Sequence, residues 1–293
     1  MLDSRPVRAP NTKSHITIPA SKPALATAIA LEWDLLISAA QALKNHFIPL
    51  TSLASRALDI AAQDNGQNLP PSDQPTTREE IVRLMLRYLD TDTLLCWAPV
   101  KSGFAEASGL EQTDSKTHSG RSLRELQIAT ATPIITFLTQ TVWPGISIHP
   151  ALEDSGSVMP TPQSPLTKEV IGGWMTGLGA WELAGLERAV LAGKSLLVAA
   201  RLVVEWSEAF QGLVDVDVDV DVDVDSDEGK RRFSMDEAAA ACSLEVDWQT
   251  GMWGEVEDTH DVEREDLRRQ FGSVVLLVSG SGSGSGSGSA SSV

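Results

Sequence analysis

Apolar residues recur at helical spacing along most of the chain. Between Leu25 and Leu43 they lie three or four positions apart, which predicts a buried stripe on a helix of about six turns. This helix should begin at Ser21, with Pro23 in its first turn. The same spacing predicts further helices over 48–62, 77–89, 165–178, 180–191, 194–210, 234–248 and 262–274.

Pairs of a hydroxyl residue and a Glu three positions later mark three helix starts. The pairs are Thr77 with Glu80, Ser122 with Glu125 and Ser234 with Glu237. Each is typical of a capping box, in which the two side chains satisfy backbone N–H groups of the first turn. Pro133 should kink the helix that follows Ser122 or start a new one.

The first twenty residues have a different pattern. Pro6 and Pro10 precede a polar turn, and residues 16–18 then alternate between apolar and polar. Because Pro is tolerated only at sheet edges, we expect an edge β-hairpin over 5–20. With the helices, this predicts an α+β fold, in which a small β-rich N-terminal region precedes a mainly α-helical C-terminal domain.

Length and composition divide the chain into segments. Its 293 residues correspond to about two domains. We predict an N-terminal region over 1–100, a polar linker over 101–120 and a helical C-terminal domain over 121–278. Two low-complexity segments are expected to be disordered: a Val-Asp insertion within 212–231 and a Ser-Gly tail over 279–293.

Charge and cysteine content exclude several classes of protein. The net charge is −17, and eight acidic residues fall between 215 and 228. This acidity argues against nucleic acid or an anionic membrane as a partner. No apolar stretch approaches the length of a membrane span. Cys96 and Cys242 are too few for a disulfide framework and fit a reducing compartment. Pro6 and Pro10 interrupt any secretory signal or presequence helix.

No catalytic or ligand-binding motif has the required residue spacing. Gly193-Lys194-Ser195 resembles the end of a phosphate-binding loop, but Arg188 stands where that loop needs its first glycine. The Asp repeat lacks the Gly and the final Glu of an EF-hand calcium loop. The five histidines are scattered, and no nucleophile signature is present. We therefore expect no catalytic residue, no metal site, no cofactor and no small-molecule substrate.

Tryptophans and acidic residues remain as candidates for partner binding. Most of the eight tryptophans fall on apolar helix faces, which is typical of core packing. Trp253, beside Gly254 and past a predicted helix end, is an exception. Glu245 and Asp247 lie close to Trp248. Two interpretations stay open: a solvated polar face, or an acidic rim around an aromatic anchor that receives a basic partner surface.

A series of short motifs resembles one family. In chain order they are Arg5-Pro6-Val7-Arg8, Glu32-Trp33-Asp34, Pro49-Leu50-Thr51-Ser52-Leu53, Arg87 to Cys96, Lys194-Ser195-Leu196, Ser243 to Gln249 and Trp253-Gly254. The set extends over 5–210 and 234–277. It is similar to the mitochondrial assembly chaperones of the ATP synthase assembly factor 2 type, in a fungal form. The first motif lies mid-domain in that family, so the resemblance leads us to expect that the strands and the presequence that precede it in the family are missing before Arg5.

The resemblance implies a non-enzymatic chaperone of the mitochondrial matrix. Such a chaperone binds the free alpha subunit of the catalytic F1 sector of ATP synthase and prevents its aggregation before it pairs with beta. A free subunit exposes the apolar interface meant for its neighbour, and surfaces of that kind aggregate. Two alternative hypotheses are an uncatalogued helical metabolic enzyme and an acidic calcium-responsive protein that uses the Asp repeat.

The resemblance also implies site residues. Glu245 stands at the acidic position expected to contact the client. Further partner-binding candidates are Asp247, Trp253 and Gly254. Trp33 and Asp34, in the Glu-Trp-Asp motif, are expected to be structural or partner-binding.

Overall fold

The computed structural model describes residues 6–9, 14–38, 40–44, 46–99, 121–152, 159–214, 232–254 and 260–281. Ten α-helices contain most of these residues. They are α1 (Pro23–Asp34), α2 (Pro49–Asp64), α3 (Thr77–Leu89), α4 (Leu123–Phe137), α5 (Pro165–Gly177), α6 (Ala180–Gly193), α7 (Leu196–Trp206), α8 (Gln211–Val214), α9 (Met235–Trp253) and α10 (His260–Val278). Short 3-10 turns lie at Gln41–Leu43, Thr93–Leu95 and Glu208–Phe210, and a π turn lies at Leu138–Val142.

Helices α6 and α7 form the centre of the core. Every residue from Leu196 to Glu205 except Arg201 is buried, so α7 is covered on nearly all sides. Helix α6 packs against α2, α7 and α10, while α9 packs against α4, α7 and α10. Gly185 allows the close approach of α10, since a Cβ there would lie 2.8 Å from a methyl group of Val278. The apolar faces of the helices thus meet in one cluster.

The prediction of a β-rich N-terminal region, and with it of an α+β fold, is wrong. The described residues contain no strand or sheet, and the expected hairpin is reduced to one isolated antiparallel bridge between Arg8 and His15. Two backbone hydrogen bonds of 2.9 and 3.0 Å flank this bridge. Because Pro has no backbone N–H, Pro6 and Pro10 cannot supply the donors of a longer ladder. The described parts of the chain are mainly helical.

The first helix is shorter than predicted. It ends at Asp34, and only a 3-10 turn forms near the predicted end at Leu43. The carboxylate of Glu32 accepts a hydrogen bond of 2.6 Å from the backbone N–H of Leu50. A helix continued to Leu43 would carry the chain roughly 16 Å beyond Glu32. The contact with Leu50 therefore favours an earlier end, and residues 35–48 return the chain to α2.

Capping residues confirm most of the predicted helix starts. Two capping boxes form at the predicted residues, Ser122 and Ser234. The third lies one residue earlier than predicted, with Thr76 as N-cap in place of Thr77. Helix α1 has Lys22 at its N-cap, not Ser21, and makes no side-chain cap. Pro133 does not start a new helix, because α4 runs through it to Phe137.

The predicted domain division stays a prediction. The proposed linker over 101–120, the acidic insertion over 212–231 and the tail over 279–293 lie almost wholly outside the described residues.

A bidentate ion pair joins α2 to α6. The guanidinium group of Arg56 donates two hydrogen bonds to the carboxylate of Glu187, at 2.7 and 2.8 Å.

None of the described helices combines the length and the apolar character needed to cross a membrane.

Candidate partner-binding surface

Helix α9 carries the main predicted site, and small residues fix its position. Ala238, Ala239 and Ala241 are buried, which lets the first half of α9 pack closely on its neighbours. Gly193 at the end of α6 serves the same purpose. A Cβ on Gly193 would lie 2.6 Å from the Cys242 sulfur and 2.9 Å from the ring of Phe271. Close packing therefore holds the first half of α9 in place, and the second half extends to the surface.

The outward half of α9 presents acidic and apolar side chains together. Glu245 is exposed, and one of its carboxylate oxygens accepts a hydrogen bond of 3.1 Å from the side chain of Gln249. Val246 is 42% exposed. The carboxylate of Asp247 is half-exposed and pairs with Arg264 of α10 at 3.1 Å. Glu245 thus faces solvent, whereas Asp247 ties α9 to α10.

A groove of about 510 Å³ runs beside these residues, between α9, α10 and the corner that joins α6 to α7. Val246, Val262 and Leu267 give it an apolar lining, and Val262 is exposed. Asp247, Glu263 and Asp266 supply acidic groups at the same groove, together with Arg264 and Lys194. An acidic rim near the end of α9 was one of the two interpretations of the sequence, and neither of them included α10 as the opposite wall.

The other two candidates, Trp253 and Gly254, lie at the end of α9. Trp253 is the last residue of the helix, and its side chain is outside the described residues. Gly254 follows as the C-cap with a φ of 89°, a conformation that favours glycine, and its N–H donates to the carbonyl of Thr250 at 2.8 Å. Gly254 therefore ends the helix that carries Glu245.

The Glu32-Trp33-Asp34 motif lies elsewhere, at the junction of α1 and α2. The Glu32 carboxylate accepts hydrogen bonds from the backbone N–H groups of Leu50 and Thr51, at 2.6 and 3.0 Å, and so caps the start of α2. Burial raises the pKa of Glu32 despite these bonds. The indole N–H of Trp33 donates to the hydroxyl of Thr51 at 3.0 Å. Asp34 is exposed at the last residue of α1.

Asp92 is a residue of structural weight that sequence reasoning missed. Its side chain is fully buried and accepts hydrogen bonds of 3.0 Å from the N–H groups of Leu94 and Leu197. The hydroxyl of Ser195 and the N–H of Leu196 also favour the charged form of Asp92, although burial raises its pKa. One carboxylate therefore caps the 3-10 turn after α3 and the N-terminus of α7. The motifs at 87–96 and 194–196, quoted above for the resemblance, meet at this point.

The Asp92 carboxylate acts electrostatically on Cys242, which lies on the core side of α9. Burial and, next, the Asp92 carboxylate raise the pKa of the Cys242 thiol. Burial also raises the pKa of Cys96, with further contributions from Asp92 and Glu245. Glu245 is therefore near enough to Cys96, at the end of the turn after α3, to act on it electrostatically.

Among the described residues, no group of three or more His, Cys, Asp or Glu side chains could hold a metal ion.

Residues 1–139 match the profile of the family described as ATP12 chaperone protein. Most of the chain is similar to two curated proteins. One is "Protein atp12, mitochondrial" of Schizosaccharomyces pombe, at 28% identity over 94% of this chain and 75% of that protein. The other is "Protein ATP12, mitochondrial" of Saccharomyces cerevisiae, at 29% identity over 94% of this chain and 76% of that protein.

The chain is similar to the ATP12 chaperone family. The crystal structure of Atp12 from Paracoccus denitrificans has the same fold, with a TM-score of 0.58 at 20% identity over 94% of this chain and 88% of that one. The resemblance stated from the motifs is thus confirmed at the level of the family. The matching family is described as one of chaperones, in agreement with the expectation of a non-enzymatic protein. Both curated relatives are named mitochondrial proteins, in agreement with the expected location in the matrix.

Proposed function

We propose that this chaperone binds the free alpha subunit of the F1 sector of ATP synthase and prevents its aggregation until the beta subunit replaces the chaperone. The contact surface is the outward half of α9 with its groove, defined by Glu245, Val246, Asp247 and Val262. Exposure of an acidic residue beside apolar side chains carries this proposal. The surface suits a client patch in which basic residues border apolar ones.

The two acidic residues have different parts in this proposal. Glu245 is exposed and pairs with no cation among the described residues, so a client cation can approach it. Asp247 is already paired with Arg264 and holds the two walls of the groove together. The end of α9 at Trp253 and Gly254 sets how far the surface extends. Glu245 should therefore contribute directly to client affinity, and Asp247 mainly through the shape of the groove.

The test is the affinity of purified chaperone for the purified alpha subunit of the same species. Glu245→Lys should weaken this affinity at least about tenfold, because a like charge faces the client cation. Glu169→Lys is the matched control, since Glu169 is equally acidic, exposed and on α5. Equal binding by both variants would remove Glu245 from the site, and absence of binding by the wild type would refute the client assignment.

Aggregation provides a second readout. Light scattering of the alpha subunit at 37 °C should fall when wild-type chaperone is added in stoichiometric amount. The Glu169→Lys chaperone should protect equally well, and the Glu245→Lys chaperone should not. Protection by an equal mass of an unrelated acidic protein would show that the effect is not specific to this surface.

A further inference from the structure

A second part of the surface remains without a role, in the segment between α1 and α2. Large apolar side chains are concentrated there: Leu35 is 71% exposed, Ile37 90% and Leu43 86%. Two N–H groups of the segment, at Ile37 and Ser38, donate to the side chain of Gln41, which ties its two parts together. Exposed apolar side chains at this density mark contact surfaces.

Beside this segment lies a groove of about 480 Å³ between the start of α2, α6 and α10. Leu43, Pro49 and Leu53 line one side. Arg188 of α6 and Arg269 of α10 line the other. We call this the α2 groove, and the groove beside Glu245 the α9 groove.

Arg188 is the unusual member of the α2 groove. It is half-buried, yet within the described part of the chain it makes no hydrogen bond and no ion pair. The adjacent carboxylate of Glu187 is engaged by Arg56, so it does not neutralise Arg188. Arg269 is paired with Asp266. A half-buried cation without a partner, beside apolar side chains, is suited to a carboxylate that arrives on an apolar segment.

The two grooves are continuous on the surface of α10. Asp266 and Gln270 line both of them. A partner bound at the α9 groove can therefore reach the α2 groove without crossing an intervening element. The two ends differ in charge, since unpaired Glu245 lies near one and unpaired Arg188 lies in the other.

We propose that the α2 groove is a second contact site for the same client, the alpha subunit, and that it receives an apolar segment bearing a carboxylate that pairs with Arg188. This inference rests on the function proposed above. A second copy of this chain is disfavoured as occupant, because two molecules of net charge −17 repel one another. The opposite charges of the two sites would fix the orientation of the client.

The experiment measures the dissociation constant for the purified alpha subunit. Arg188→Glu should raise it at least about tenfold, and Arg188→Lys, which keeps the charge, by no more than about threefold. Arg83→Glu on α3 is the matched control, because Arg83 is exposed and also makes no ion pair among the described residues. Leu43→Asp should weaken binding as well, and its control is Leu69→Asp, at a position that is 56% exposed.

The outcomes separate this inference from the proposed function. If the wild type binds and Glu245→Lys does not, while Arg188→Glu and Leu43→Asp bind normally, the second site is refuted and the first stands. If the wild type does not bind the alpha subunit, both proposals are refuted. Sedimentation velocity of the chaperone alone completes the test. A wild-type dimer that Leu43→Asp converts to a monomer would assign the α2 groove to a second copy and overturn the inference.

Discussion

The carboxylate of Asp92 accepts a hydrogen bond of 3.0 Å from the backbone N–H of Leu197, 105 positions further along the chain. Two further contacts reinforce this joint, since the N–H and the hydroxyl of Thr93 donate to the carbonyls of Lys194 and Gly193. The turn after α3 is thereby fixed to the corner between α6 and α7. That corner also forms one border of the α9 groove, so Asp92 supports the candidate surface from beneath.

Removal of the Asp92 side chain should destabilise the fold. Asp92→Ala leaves the N–H groups of Leu94 and Leu197 buried without an acceptor, which should lower the free energy of unfolding by about 2 kcal/mol. Urea unfolding at pH 7 measures this loss. Asp73→Ala, in the exposed loop before α3, should change the free energy by less than about 0.5 kcal/mol. Equal effects of the two substitutions would contradict the capping role of Asp92.

The stability contribution of Asp92 should depend on pH. Burial raises its pKa to about 6, above the value of about 3.9 expected in the unfolded chain. At a pH between these two pKa values, Asp92 is protonated in the folded chain and ionised in the unfolded chain. Raising the pH through this window therefore favours unfolding. The stability difference between wild type and Asp92→Asn should fall by up to about 3 kcal/mol from pH 4 to pH 7. A difference that rises with pH over this range would contradict the raised pKa.

The Trp33 position should be structural rather than partner-binding. Trp33→Phe removes the hydrogen bond to Thr51 and should lower the free energy of unfolding by about 1 kcal/mol. Affinity for the alpha subunit should not change. Asp34→Ala, at an exposed position, serves as the neighbouring control for both measurements. Loss of affinity in Trp33→Phe at unchanged stability would instead place the motif in the client site.

Lys22 should hold the C-terminal end of α10 in place. Its buried ammonium group donates to the carbonyls of Val278 and Ser279, at 3.0 and 3.2 Å, and pairs with Glu208 at 2.9 Å. Lys22→Met should lower the free energy of unfolding by about 3 kcal/mol, because these groups lose their partner. Amide exchange over 275–281 should also become faster. Lys44→Met, at an exposed position, should change neither, and equal effects at both lysines would refute this role.

Local patterns predicted most of the helices. Helices α5 and α6 lie close to their predicted ranges, and Ser122 and Ser234 begin α4 and α9 as expected. These features depend on residues three or four positions apart, which the sequence displays directly. The early end of α1 depends instead on a contact between Glu32 and Leu50. The apolar spacing continues past Asp34, so the spacing alone could not reveal this end.

The candidate surface was only partly predictable. The motif around Glu245 indicated an acidic position, but the groove beside it needs Val262 and Arg264 from a separate helix. The role of Asp92 depends on N–H groups at the start of α7. A signal did exist for Asp92, because two of the motifs that carry the family resemblance meet there. Nothing local to either motif indicates that they are in contact.

The most direct test of the account is amide hydrogen exchange of the chaperone with and without the purified alpha subunit. The account predicts slower exchange in the client complex over 243–254 and 260–270, which form the α9 groove, and over 41–53 at the α2 groove. Helix α5, which carries the control residue Glu169, should exchange at the same rate in both samples. Protection confined to α5 or α3, with the end of α9 unchanged, would contradict the proposal that this chaperone holds its client through the acidic end of α9.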